Sequence, residues 1–168
     1  VPIAAALITK SELTISNLDI HDIQGDKEII KIFQKMGARI EIDAKKKSLH
    51  VEKLSSSLQG ISVDINPCID ALPILADVAC YANSATVIKN ASVARRKESN
   101  RISTISCELQ KMGASITETD DGLIICPSVL TGTAVSSYND HRIAMALTVA
   151  GLGAQRSTII HNIGCITK

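Results

Sequence analysis

Apolar residues recur at spacings of four and then three in two stretches of the chain: Ile29, Phe33 and Met36, and again Ile105, Leu109 and Met112. That spacing builds one face of an amphipathic helix. Each stripe stops at a glycine, Gly37 or Gly113, a usual helix terminator. Behind each glycine the pattern becomes strand-like. "ARIEID" and "SLHVEK" follow the first helix, "ASITET" and "GLIICP" the second, so each helix is expected to lead into a β-hairpin. "DDG" at 120–122 reads as the turn of the second hairpin. Three further stretches, "PIAAALI", "IDALPILADVACYA" and "DHRIAMALTVAGLGA", are apolar and rich in small residues, and read as helices.

These elements repeat. "QKMGA" stands at 34–38 and again at 110–114. "TISN" at 14–17, "VIKN" at 87–90 and "IIHN" at 159–162 follow one another at nearly the same interval, and a small-residue helix precedes each. The unit is an apolar helix, a strand, an amphipathic helix and a hairpin. Its copies are expected at about 1–55, 58–128 and 132–168, the last cut off after its first strand. Asp26 is a candidate N-cap for the first amphipathic helix. Pro73 is tolerated only in a first turn, which puts the start of its helix near Asp70. Polar connectors fall at 54–60 and 128–137.

Composition narrows the function classes. A chain of 168 residues fits one domain, and Ile, Leu, Val and Ala supply its core, since it has no Trp, one Phe and two Tyr. A formal charge of +1 gives no general pull toward nucleic acid or membrane, and so few aromatics disfavour base stacking. Five scattered cysteines without a C-x-x-C pair predict reduced thiols in a cytoplasmic protein and no metal site. No apolar run reaches the ~18–20 residues of a membrane span, and no secretory leader is recognisable. Val1 and Lys168 both read as cut ends.

The chemistry lies at helix starts. "VARRKESNRIS" at 93–103 packs Arg95, Arg96, Lys97, Glu98 and Arg101 together, which is either a solvated helix face or an anion site. Lys97 and Glu98 are expected to open one helix and "NDHR" at 139–142 another, so Lys97 with Arg101 and His141 with Arg142 place cations at N-termini. The helix dipole opposes that placement, and a bound phosphate or carboxylate is the simplest compensation. Each residue keeps a plainer reading: Asp70 as an N-cap, Glu98 as a carboxylate satisfying the dipole, His141 as a structural hydrogen-bonding group. Spacing leaves Lys168 uninterpreted.

"RRKESNRI" resembles the R-x-K-E-[ST]-D-R-[IL] signature of the 5-enolpyruvylshikimate-3-phosphate (EPSP) synthase family, and "YNDHRIAMAL" its D-H-R-[IM]-A-M block. "QGDKEIIKIFQKMGA", "IDALPILADVA" and "GCITK" match further family segments in order, so the resemblance runs from Pro2 to Lys168. It implies an α/β (α+β) fold, with two similar domains, each a pseudo-threefold assembly of β-α-β-α-β-β units. Residues 1–168 would be most of the C-terminal domain. The partner is the N-terminal domain, which brings further phosphate ligands.

The implied reaction moves the enolpyruvyl group of phosphoenolpyruvate to the 5-hydroxyl of shikimate 3-phosphate, in chorismate biosynthesis, through a tetrahedral ketal and without a cofactor. By motif match Asp70 is the base on the hydroxyl, Lys97 contacts the shikimate phosphate and assists proton transfer, and Glu98 serves the methylene proton. Arg101, Arg142 and Lys168 clamp phosphoenolpyruvate, with His141 alongside. Three residues depart from the pattern. Asn100 replaces an aspartate and so removes a carboxylate beside Arg101, Val93 stands where some members have Asn, and Ile69 where Pro often precedes the aspartate. The isolated chain is expected to be inactive. Two alternatives stay open: the sibling that transfers enolpyruvate to a UDP-sugar, and an anion-binding fragment without turnover.

Overall fold

The computed structural model describes residues 1–18 and 27–167. Three apolar helices, α1 (Pro2–Ile8), α3 (Leu72–Cys80) and α5 (His141–Gly153), pack on one another at the centre. Their contact faces are small or aliphatic: Ala4, Leu7, Leu75, Ala76, Ala79, Ala146, Leu147 and Ala150 are all buried. Three sheets surround them. The first has the order β1-β3-β2, from β1 (Leu13–Ser16), β2 (Ile40–Asp43) and β3 (Ser48–Val51). The second, β4-β5-β7-β6, is built from β4 (Ser62–Asp64), β5 (Thr86–Lys89), β6 (Ser115–Thr119) and β7 (Gly122–Cys126). The third pairs β8 (Ala134–Ser136) with β9 (Ile159–His161). Both expected hairpins form, β2 with β3 and β6 with β7. Parallel pairs join β4 to β5 and β8 to β9. The chain thus has the pseudo-threefold α/β architecture, and β4-α3-β5-α4-β6-β7 is one full unit, with α4 spanning Arg101–Lys111.

The repeated letters have repeated causes. After Glu28–Lys35 (α2) and after α4 the chain closes the same way: Ala38 N–H donates to Phe33 O and Gly37 N–H to Gln34 O, while Ala114 N–H donates to Leu109 O and Gly113 N–H to Gln110 O. This is a Schellman cap, and its glycines take φ of 100° and 94°. The glutamines of "QKMGA" stitch helix to hairpin, Gln34 Nε2 to Ile40 O at 2.7 Å and Gln110 Nε2 to Ile116 O at 2.8 Å. The methionines are fully buried beneath. The asparagines that close "TISN", "VIKN" and "IIHN" share a left-handed backbone, with φ of 60°, 58° and 60° at Asn17, Asn90 and Asn162. Asn tolerates that conformation better than other L residues.

Several local expectations shift. The β6–β7 loop is Asp120 and Asp121 alone, because Thr119 pairs with Gly122 inside the ladder. Gly122 serves close approach, not the turn: a Cβ there would sit 1.9 Å from the Ile88 carbonyl oxygen. The helix expected near Asp70 begins at Leu72, after a 3₁₀ stretch Asn66–Ala71. A cap at 70 would need the N–H of residue 72 or 73, and Pro73 has none. Lys97 and Glu98 precede α4 and do not open it. Asn100 is the N-cap and accepts the Ser103 N–H at 3.3 Å, which leaves Lys97 in extended backbone. The expected cap Asp26 lies outside the described residues. Among those residues no helix is long and apolar enough to cross a membrane.

Candidate active site

Asp140 organises the site from the end of α5. Its side chain caps the helix by accepting the Arg142 N–H at 2.9 Å, and it also accepts Ser99 Oγ at 3.0 Å. Arg101, the first residue of α4, lays its guanidinium across both oxygens of Asp140, Nε at 2.8 Å and Nη2 at 3.1 Å. Asp140 is fully buried and the Arg101 side chain is 3% exposed. The starts of α4 and α5 are therefore bolted together by a satisfied internal ion pair. Burial alone would raise the Asp140 pKa, but the bonds and charge of Arg101, with Ser99 and the Arg142 N–H, hold it below the ordinary carboxylate range.

The third Arg101 contact reaches the next element. Nη1 donates to Asp70 Oδ1 at 2.6 Å, and Lys97 Nζ meets the same oxygen at 3.1 Å. Freed from capping, Asp70 points outward from the 3₁₀ turn and is about one third exposed. Burial would raise its pKa too; the Lys97 bond and the charges of Lys97, Arg101 and Arg142 outweigh that and lower it. Asp70 and Arg142 line one cavity of about 150 Å³ with Phe33, Ile74 and Met145. Beside it, Glu98 Oε2 and His141 Nδ1 are 2.8 Å apart, both half-exposed, in an open groove of about 560 Å³ that also takes in Met145 and Cys165.

Asp70, Lys97, Glu98, Arg101, His141 and Arg142 thus come together where three elements meet. Lys168 lies outside the described residues. The compensation expected from a bound anion is largely internal, since Asp70, Asp140 and Glu98 stand among the cations. Arg101 in particular lies beneath the site with its fork turned to carboxylates. Asn100 points into the α4 cap, and the carboxylate that faces Arg101 is Asp140. Arg95 is structural: it binds Glu118 at 2.6 Å and the carbonyls of Thr119 and Asp120, tying the second hairpin to α4. Glu98, Asp140 and His141 offer atoms within 4.8 Å of one another, a spacing that suits a metal. The Asp140 oxygens are already taken by Arg101, Ser99 and the Arg142 N–H, which leaves that set poorly disposed for one. Sequence reasoning misses Asp140 and Ser99. An aspartate directly before an apolar helix is an N-cap signal that marks the first.

A threefold array of β-α-β units, with charged residues gathered where its helices begin, is the build of one domain of an enolpyruvyl transferase. The EPSP synthase (3-phosphoshikimate 1-carboxyvinyltransferase) family model matches residues 1–168, and the chain belongs to that family. It is 48% identical over 167 residues to the 3-phosphoshikimate 1-carboxyvinyltransferase of Chlamydia pneumoniae, covering 98% of this chain and 37% of that protein. The Chlamydia felis relative is 46% identical over the same length. Among solved structures, EPSP synthase from Acinetobacter baumannii superposes with a TM-score of 0.86 at 29% identity, over 98% of this chain and 41% of that one. The enolpyruvyl transferase NikO from Streptomyces tendae shares the fold, with a TM-score of 0.79 at 21% identity over 98% of this chain and 37% of that one. The chain spans about 37% of the length of the curated relatives it matches.

Proposed function

We propose that the full-length protein transfers the enolpyruvyl group of phosphoenolpyruvate to the 5-hydroxyl of shikimate 3-phosphate and releases phosphate, as a cytoplasmic enzyme of chorismate synthesis. Residues 1–168 form most of its C-terminal domain, and the N-terminal domain completes the cleft. The reading is carried by one observation, the gathering of Lys97, Arg101 and Arg142 around Asp70 beside the Glu98–His141 pair.

Asp70 takes the proton of the 5-hydroxyl as its oxygen attacks C2 of phosphoenolpyruvate. Glu98 delivers a proton to the methylene carbon, giving the tetrahedral ketal. The ketal then expels phosphate, which leaves with the proton held by Asp70, while a methyl proton returns to Glu98 and the enol ether forms. Lys97 turns from Asp70 to the shikimate phosphate, which also raises the basicity of Asp70. Arg142, His141 and Lys168 hold phosphoenolpyruvate. Arg101 supplies a fixed positive charge beneath both substrates and reaches a ligand oxygen by exchanging Asp70 for it. The steps are proton transfers, addition and elimination, so no cofactor is required.

The test is phosphate release by the full-length protein, with phosphoenolpyruvate and either shikimate 3-phosphate or a UDP-sugar as acceptor. Release with shikimate 3-phosphate alone is expected. Release with the UDP-sugar alone, or with neither, contradicts the proposal.

A further inference from the structure

Glu108 breaks the internal repeat. When the two copies of "QKMGA" are laid on each other, the amphipathic helices α2 and α4 align, and the position matching Glu108 is Ile32, buried at 5% exposure. Glu108 is fully buried. A carboxylate where the sister helix keeps an isoleucine is costly to desolvate, so its bonds should serve something the sister copy lacks. Oε1 accepts Lys111 Nζ at 2.7 Å on the same helix, while Oε2 accepts the backbone N–H of Ser136 at 2.9 Å. The Tyr138 phenol faces the same carboxylate, and a hydrogen-bonding interaction with it raises the phenol's pKa. Ser136 ends β8, and Tyr138 lies in the segment that joins it to Asp140, His141 and Arg142.

That segment is conformationally unusual. Tyr138 and Asn139 have φ of 54° and 57°, consecutive left-handed residues without a glycine. Such backbone persists only where its surroundings over-determine it. One anchor belongs to the fold in general: Asn162 Nδ2 donates to Ser136 Oγ at 2.9 Å, just as its counterpart in the preceding copy, Asn90 Nδ2, donates to Asp64 at 2.8 Å. The Glu108 anchor is different, because position 32 of the sister helix has no group to make it. It reaches from α4 in the second copy to the third copy, whose turn carries His141 and Arg142.

We propose that Glu108 is a positioning residue: it holds the 136–140 turn in its left-handed form and so sets Asp140, His141 and Arg142 against Arg101 and Glu98. Its kinetic consequence rests on the function proposed above; its structural content does not.

The test compares Glu108→Ile and Glu108→Gln in the full-length protein by hydrogen exchange across 136–142 and by steady-state kinetics. Isoleucine restores the sister side chain, and glutamine keeps an acceptor for the Ser136 N–H. Exchange in the segment should quicken about tenfold or more with Ile and stay within about threefold with Gln. The KM for phosphoenolpyruvate should rise about tenfold with Ile, while that for shikimate 3-phosphate moves less than about threefold. Unchanged exchange in the Ile variant overturns the inference whether or not the enzyme turns over, and so does a Gln variant as loose as the Ile variant. Wild-type protein without turnover overturns the proposed function and leaves the exchange test intact. Should Glu108→Ile fail to fold, Glu108→Met takes its place, since it too removes the acceptor of the Ser136 N–H: exchange in the segment should again quicken about tenfold, and no rise overturns the inference.

Discussion

Arg101 and Asp140 face each other as fork and carboxylate, at 2.8 and 3.1 Å, at the joined starts of α4 and α5. Both are buried, and the remaining Asp140 contacts are filled by Ser99 and the cap of α5. Because Arg101 also reaches Asp70, one guanidinium fixes the relative placement of three elements.

Asp140→Ala leaves that guanidinium buried without its main partner and strips the cap from α5. Removing one member of a buried pair costs about 3–5 kcal/mol. Urea unfolding followed by circular dichroism should show a loss of that size. A loss below about 1 kcal/mol, the range of an exposed ion pair, would mean the pair is solvated.

Asp77 predicts a stability change of opposite pH sense. It is fully buried in α3 and neither carboxylate oxygen has a partner among the described residues, so burial pushes its pKa well above the ordinary value. A group raised in the folded state stabilises below the unfolded pKa and loses that contribution as pH rises toward the folded one. Asp70 and Asp140, both lowered, do the reverse and lose their contribution as pH falls through their folded values. Asp77→Asn removes the first effect alone. Its unfolding free energy, relative to wild type, should improve by about 1–3 kcal/mol between pH 4 and pH 8. An unchanged difference would place Asp77 in contact with water.

Two glycines should differ in cost because they serve different ends. Gly113→Ala meets no atom nearer than 3.6 Å but must hold a φ of 94°, which costs about 1–2 kcal/mol. Gly122→Ala forces β5 from β7 at the Ile88 carbonyl, and overpacking of that kind costs about 1–3 kcal/mol or more. Thermal melts should rank Gly122→Ala as the more damaging, and the opposite order would contradict the close approach.

What can be read in the sequence is local. Gly37 and Gly113 end helices and the alternating pairs make hairpins because those signals depend on neighbours a few residues away. Asn17, Asn90 and Asn162 are visible as an echo, although their shared left-handed backbone is not. A local rule misplaces Asp70, since the missing N–H of Pro73 frees its side chain for Arg101 and Lys97. The balance of charge is hidden because cations can be counted along the chain, whereas the carboxylates that answer them come from other elements. Glu108 does leave a trace. It stands three residues from Ile105 and four from Met112, on the apolar face, where Ile32 stands in the sister helix.

The most direct measurement of the central claim is turnover by the full-length Asp70→Asn variant beside wild type, with the affinity for phosphoenolpyruvate recorded in parallel. Removing a positioned general base lowers kcat by about 10²–10⁴-fold. The expected result is a fall in that range with affinity kept within about threefold, since the cations that hold the anion remain. A kcat within about threefold of wild type would show that proton removal does not pass through Asp70.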